Sequence, residues 1–173
     1  MRKEKGFSLI ELLIVVAIIL IIAAIAVPNL LRSRMAANES SAAASLRTIA
    51  TANVTYSSTY NVGYAGDLAS MSPSTAPTSS GADLLDAVLS GAVPVTPTPV
   101  KSGYIFTYLP GNASPTTTAP NPTFTTWASP VGVGSSGQAD FCSDQTNVVG
   151  RDVDGSGPTP AATGCDFTAY PPL

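Results

Sequence analysis

Histidine is absent from this 173-residue sequence. Histidine is the usual general base at neutral pH and the commonest metal ligand, so its absence removes the simplest acid–base and metal-assisted chemistries. The serines therefore have no Ser–His pair, and the sparse carboxylates show no spacing that singles out an acid–base couple. A Ser–Lys arrangement around Lys101 is the alternative that spacing leaves open. We predict that the chain is not an enzyme and uses no cofactor.

Charged and aromatic residues are also scarce, at 11% and 7% of the chain. A typical domain has about 25% charged residues. The formal net charge is −3, whereas nucleic-acid binding needs clustered Lys and Arg against phosphate, so no direct nucleic-acid site is expected. Beyond Leu31 the chain is rich in Ser, Thr, Ala, Gly and Pro, which predicts a modest core with many loops.

Cysteine is limited to Cys142 and Cys165, whose spacing matches neither a C-x-x-C redox motif nor a zinc site. Downstream of an export signal, a single disulfide bond between them is expected. In the chain-entropy description, closing such a loop adds about 3–4 kcal/mol of stability.

Metal-binding motifs are also few. Asp152 and Asp154 alternate before Gly155, as carboxylates do in some calcium loops, but no downstream Glu closes an EF-hand. The alternative is the end of a strand that turns at Gly155. We favour the turn and expect no metal site. If the loop did bind a metal, Asp152 and Asp154 would be the candidate ligands.

What the chain does have is a long apolar run, Phe7–Leu31, behind a short basic segment, Met1–Lys5. A bilayer span needs about 20 apolar residues. Glu11 lies inside this run, although an acid at mid-membrane costs about 2.5–3.5 kcal/mol on insertion scales. An ordinary secretory signal has a shorter apolar region. An uncleaved signal anchor with a periplasmic domain stays open.

The helical pattern continues beyond Pro28, which should loosen the turn before it because proline has no N–H. Apolar residues then recur along one stripe, at Met35, Ala42, Leu46, Ile49, Tyr56 and Tyr60. We predict one helix from about Ser8 to about Tyr60.

In the part of the chain after Tyr60, β-branched and aromatic residues lie between turn residues, a pattern that predicts short strands. The predicted strands are Tyr104–Tyr108, Thr123–Ala128, Ala139–Ser143 and Asn147–Val153, with a turn at Asp144–Thr146. A short helix is expected at Ala82–Leu89. Sequential strands joined by short turns pair antiparallel. The predicted fold class is α+β, with a small C-terminal antiparallel sheet packed on the second half of the long helix.

The segment Lys5-Gly6-Phe7-Ser8-Leu9-Ile10-Glu11-Leu12 closely resembles the processing signature of type IV prepilins and type II secretion pseudopilins. The likeness continues through Val15–Ile18 and Ala23–Leu30, and beyond that it is one of architecture only. The resemblance implies that Gly6 is the last leader residue and Phe7 the N-methylated first residue of the mature chain. An inner-membrane prepilin peptidase would perform both reactions.

The resemblance also implies roles for residues further along. Glu11 would govern register with the neighbouring subunit, because a buried carboxylate gains by pairing with the cationic amine of Phe7. Pro28 falls where the helix is loosened in assembled filaments. The family often has glycine at the position of Leu20 and this chain does not, so extensive helix melting before Pro28 does not carry over directly from the resemblance, and whether Leu20 limits that melting stays open. The cysteine pair would close the C-terminal loop typical of pilins.

The implied organisation is a leader at 1–6, a membrane and filament-core helix at 7–31, an amphipathic continuation at 32–60 and a globular sheet domain at 61–173. The implied function is a structural subunit of a type IV pilus, stored in the inner membrane and polymerised into an extracellular filament for motility, adhesion or DNA uptake. Its partners would be other copies of itself, the prepilin peptidase, the assembly platform and the motor ATPases. The alternatives are a pseudopilin of a type II secretion system and a signal-anchored periplasmic binding module.

Overall fold

A computed structural model of the chain describes residues 7–92, 98–157 and 159–173. It has one long helix, one short 3-10 helix and five strands. In chain order these are α1 (Leu9–Tyr60), the 3-10 helix (Ala69–Met71), β1 (Val100–Lys101), β2 (Tyr104–Pro110), β3 (Phe124–Pro130), β4 (Asp140–Asp144) and β5 (Val149–Asp152). The predicted α+β class and the predicted long helix are confirmed.

The chain divides into two units, Met1–Arg34 and Met35–Leu173. In the first unit the described residues are almost all helical, and α1 continues through Pro28. Their side chains are exposed, apart from the half-buried Ala23. We call the second unit, Met35–Leu173, the head.

In the head, one side of α1 is buried as the apolar stripe predicts. Ala42, Leu46, Ile49 and Tyr56 are at most 2% exposed, while Met35 and Tyr60 are half-buried. These residues belong to a core completed by side chains of the loops and the sheet: Leu68, Met71, Leu89, Tyr104, Phe106, Phe141 and Val149. At about 25 cal/mol per Å² of apolar area, this burial is the main favourable term holding helix and sheet together.

The sheet is an antiparallel meander in the order β1-β2-β3-β4-β5. All four predicted strands are confirmed. Of the predicted turn Asp144–Thr146, Gln145 and Thr146 form the turn, whereas Asp144 is the last residue of β4. The two-residue strand β1 was not predicted. Because alternate residues share a face, Tyr104 and Phe106 of β2 lie with Ala128 of β3 and Phe141 of β4 on the face that joins the core.

The predicted helix at Ala82–Leu89 is wrong, because the structure has turns there. Asp83 has a φ of 55°, in the left-handed region that a helix cannot continue through. The Asp86 carboxylate accepts hydrogen bonds from the backbone N–H groups of Val88 (3.0 Å) and Leu89 (2.9 Å). This side chain satisfies a single turn and gives the backbone an alternative to a helix.

Asn53 of α1 anchors the loop that follows the helix. Its fully buried Oδ1 accepts a hydrogen bond from the Ala65 N–H at 3.1 Å and lies 2.9 Å from the Tyr108 hydroxyl. The same hydroxyl is 2.8 Å from the Ala65 carbonyl, which also accepts from Asn121 Nδ2. Burial raises the pKa of Tyr108, so its phenol keeps its proton and shares it between these two acceptors. Helix, loop and sheet therefore meet in one satisfied polar cluster.

The predicted disulfide bond between Cys142 and Cys165 is confirmed, with their Cα atoms 6.0 Å apart. Asp144 supports it, because its Oδ2 accepts a hydrogen bond from the Cys165 N–H at 3.0 Å. The residues after it return to the free edge of β5, where the Leu173 N–H donates to the Val149 carbonyl. A bridge between Gly150 and Pro172 completes this edge. The short pairing covers backbone groups that would otherwise offer a template for another strand.

Candidate functional site

Glu11 lies in the first turn of α1, three residues after Ser8. Its Oε2 accepts a hydrogen bond from the Ser8 backbone N–H at 2.9 Å. This is one half of a capping box, in which the acid at the third helical position closes back on the residue before the helix. A carboxylate there also complements the partial positive charge of the helix N-terminus. The pattern Ser-x-x-Glu is the sequence signal for this cap, which was not among the features predicted from the sequence.

The cap does not use all of the hydrogen-bonding capacity of Glu11. An ionised carboxylate has about four lone-pair sites on two oxygens. Among the described residues only Oε2 accepts a hydrogen bond. The carboxylate can therefore hold the helix start and still accept an ammonium group from another source.

Behind Glu11 runs an exposed apolar surface. Phe7 is 81% exposed, Leu20 63% and Leu31 51%, and the large apolar residues between them are also exposed. Among the described residues one helix, Leu9–Tyr60, is long and apolar enough to cross a membrane. Isolated soluble proteins rarely expose a continuous apolar surface of this kind, so lipid or other protein chains must cover it.

Pro28 lies within α1 and does not end it. Because proline has no N–H, the carbonyl of Ala24 lacks its intrahelical donor, which is where a helix loosens most easily. The Ser33 hydroxyl donates to the Asn29 carbonyl at 3.0 Å in the following turn. The loosening of the helix at Pro28 stays a prediction, as does the effect of Leu20. Gly6, with the rest of the predicted leader, lies outside the described residues.

Asp152 and Asp154 are used within their own loop. Asp152 Oδ2 accepts from the Gly157 N–H at 2.5 Å, and Asp154 Oδ1 accepts from both the hydroxyl and the N–H of Ser156. The Ser156 hydroxyl lowers the pKa of Asp154. No group of three or more His, Cys, Asp or Glu side chains that could hold a metal occurs in the part of the chain that the structure describes. The two carboxylates act as turn-forming acceptors.

A second carboxylate, Glu39 of α1, was not identified from the sequence. Its Oε1 accepts from the Gln138 N–H at 3.0 Å, and its Oε2 pairs with Arg151 of β5 at 2.8 Å. The pair is 112 residues apart in the chain, so no local pattern announces it. Glu39 fixes the position of α1 against the sheet within the head.

Comparisons with known proteins cover part of the chain. Residues 1–27 match the family described as the prokaryotic N-terminal methylation motif. A 39-residue stretch is 64% identical to the type IV wide pilus major component PilA4 of Thermus thermophilus, covering 22% of this chain and 30% of the relative. A 54-residue stretch is 45% identical to the type IV major pilin protein PilA of Myxococcus xanthus, covering 31% of this chain and 24% of the relative.

The chain thus matches less than a third of the length of either relative. Both relatives are named as pilus components and not as enzymes. Together with the methylation motif, they support the interpretation of this chain as a type IV pilin.

Proposed function

We propose that this chain is a non-enzymatic structural subunit of a type IV pilus that polymerises into an extracellular filament. One observation carries the proposal: an exposed apolar helix begins with a carboxylate that has spare hydrogen-bonding capacity. This combination is costly in a lipid-embedded monomer and useful where many such helices pack side by side. The pilin relatives and the methylation motif agree with it.

The apolar helix serves in two successive environments. Before assembly, residues 7–31 span the inner membrane, for which their length and composition are sufficient. After assembly, the same surface packs against the helices of neighbouring copies. It is then covered by protein instead of lipid. An assembly platform and a motor ATPase would drive this transfer.

Processing creates the group that Glu11 needs. A prepilin peptidase cleaves between Gly6 and Phe7, and methylation of the new amine leaves it positively charged. That amine can pair with Glu11 of its own chain, four residues away, or with Glu11 of the subunit ahead. An unpaired carboxylate in low dielectric is strongly unfavourable. Correct stagger removes the penalty, so the pair selects register, while the apolar run supplies the bulk of the filament's stability.

The experiment that tests this function is the recovery of the chain from sheared surface filaments. Electron microscopy should show thin filaments, and mass spectrometry should identify peptides of this chain within them. The N-terminal peptide should begin at methylated Phe7. A chain that stays in the membrane with Met1 intact would contradict the proposal and favour the anchored binding module. Cleavage near Ala26, within the small-residue sequence Ala24-Ile25-Ala26 that suits an ordinary secretory signal, would also contradict it, because the apolar helix would be lost. Confinement of processed chain to short periplasmic assemblies would favour the pseudopilin.

A further inference from the structure

The charge of the head is unevenly placed. Its cationic side chains are Arg47, Lys101 and Arg151, and its carboxylates are Glu39, Asp67, Asp83, Asp86, Asp140, Asp144, Asp152, Asp154 and Asp166. Lys101 pairs with Asp86 and Arg151 pairs with Glu39, each at 2.8 Å. Among the described residues of the head, Arg47 is the cation that forms no ion pair. It is exposed on α1.

Arg47 lies where two grooves of the head meet. The groove on the sheet side has a volume of 360 Å³ and is also lined by Ala36, Ser40, Ala43, Phe141 and the Glu39–Arg151 pair. The other, of 340 Å³, is lined by Thr48, Thr51, Thr55 and Leu84. The small side chains leave room for an incoming loop, and Glu39 is already neutralised by Arg151. The face therefore presents one uncompensated positive charge.

The loop from Asp152 to Gly157 carries the matching negative charge. In the β4–β5 register, Asp152 lies directly opposite Asp140, and like charges in that position destabilise a sheet. Burial, and then the Asp152 charge, raise the pKa of Asp140 to about 6. Asp154, two residues further on, is fully exposed. The neighbouring cation, Arg151, is paired with Glu39.

We propose that the Arg47 face of one subunit is covered, in the assembled filament, by the loop Asp152–Gly157 of a second copy, with Arg47 meeting Asp152 and Asp154. The inference rests on the proposed function, and adds to it the contact between heads. Every copy carries both surfaces, and they are different patches. Such a heterologous contact repeats along an open helical assembly rather than closing a dimer.

The proposed contact would also reduce the electrostatic repulsion between neighbouring heads. Heads with a large excess of carboxylates repel one another when packed closely, which opposes assembly. A cation that meets the acidic loop of the next copy offsets this repulsion and disfavours wrong stagger, because misplaced like charges are costly.

Replacement of the guanidinium by an amine makes the contact chemically visible. In Arg47→Lys filaments assembled from a mixture of normal and 15N-labelled subunits, a zero-length carbodiimide cross-linker should join the introduced amine of one copy to Asp152 or Asp154 of another. Mixed-isotope cross-linked peptides identify links between copies. Lys101, already paired with Asp86, supplies the internal control for a link within one chain. Links from the introduced amine to other carboxylates only, or links within one chain only, would overturn the inference.

Charge reversal gives the second readout. Arg47→Glu should lower filament yield about tenfold, the factor that corresponds to about 1.4 kcal/mol, while the level of processed subunit in the membrane stays unchanged. Lys101→Glu changes the charge equally but at a cation that is paired within its own head, and should assemble at near-normal yield. Normal yield of Arg47→Glu filaments would overturn the inference and leave the proposed function standing. If wild-type filaments lack this chain, both fall.

Discussion

At the scale of single residues, chemistry can separate the observed helix cap at Glu11 from the register role that we propose for it. As a helix cap it needs only an oxygen that accepts from the Ser8 N–H, and loss of a cap costs about 0.5–2 kcal/mol. As the partner of a cationic amine it needs its negative charge. Glutamine keeps the accepting oxygen and the shape but removes the charge, so it distinguishes between the two roles.

We expect Glu11→Gln and Glu11→Ala to insert into the membrane and be processed normally, because either change removes a charge from the apolar segment. Both should cripple filament formation, measured as subunit recovered in sheared filaments against subunit in membranes. Glu11→Asp is the control that keeps the charge on a shorter side chain and should retain partial assembly. Full assembly of Glu11→Gln would mean that Glu11 is a cap and not the register element.

Asp140 predicts how the stability of the head depends on pH. Burial and the facing Asp152 raise the pKa of Asp140 to about 6 from 3.8. Because the pKa of Asp140 is higher in the folded than in the unfolded state, protonation of Asp140 favours folding. The resulting contribution to the free energy of unfolding is present at low pH and is lost as the pH rises through about 6. Since Asp140 is only half-buried, solvent screening reduces the gain to about 1 kcal/mol.

The thermal midpoint of the detergent-solubilised chain, followed by near-UV circular dichroism, should therefore be higher at pH 5 than at pH 7.5. Asp140→Asn should flatten this difference and raise the midpoint at pH 7.5. Other carboxylates, among them Asp86 and Asp166, have a lowered pKa and lose their favourable contacts only on stronger acidification. A midpoint that is independent of pH in this window would refute the role of Asp140.

At the scale of elements, the join between α1 and the sheet depends on the cluster around Asn53. Asn53→Ala leaves the Ala65 N–H without its acceptor, and an unsatisfied buried group costs about 1–3 kcal/mol. Tyr108→Phe removes one hydroxyl that Asn53 and Ala65 share. The free energy of unfolding of the head can be measured by urea denaturation. Its decrease in the double variant should be smaller than the sum of the decreases in the two single variants.

Thr55→Ala is the matched control for this cluster, because Thr55 is exposed on the same helix and its hydroxyl donates to the Thr51 carbonyl within that helix. This substitution should change the free energy of unfolding by no more than about 0.5 kcal/mol. Strictly additive losses at Asn53 and Tyr108 would show that the two side chains do not act together.

The elements were largely predictable because their signals are local. Helical spacing marked the buried residues Leu46, Ile49 and Tyr56, and aromatic and β-branched runs marked β2. Two residues such as Val100–Lys101 carry no periodicity, so β1 left no trace. The expected helix at Ala82–Leu89 failed because the prediction followed the apolar residues and did not weigh Asp86, whose carboxylate accepts from the backbone of Val88 and Leu89 and favours a turn.

The candidate functional residues divide in the same way. The prediction of a role for Glu11 came from a local signal, an acid inside an apolar run. In the sequence, Glu39 has no feature that separates it from other charged residues on a helix. Its structural role depends on the ion pair with Arg151 of β5, which lies more than a hundred residues later in the chain. Arg47 was likewise unremarkable until the pairing of Lys101 and Arg151 left it as the head's unpaired cation among the described residues.

At the scale of the whole molecule, folding and the proposed assembly depend on different units of the chain. Every residue of the core cluster lies in the head, between Ala42 and Val149, and the disulfide bond joins two of its residues. We therefore expect a protein that starts at Met35 to fold without the apolar helix. It should be soluble and monomeric in an oxidising compartment, with a cooperative unfolding transition.

The same truncated head should fail to enter filaments, because it lacks both the apolar run and the amine that Glu11 requires. Co-expression with the full chain, followed by mass spectrometry of sheared filaments, measures this directly. A tagged full-length chain is the control and should be incorporated. Incorporation of the truncated head at a comparable level would mean that contacts between heads, such as those of Arg47, drive assembly by themselves. Its absence would assign the driving force to the apolar helix and leave the head contacts to set spacing and register.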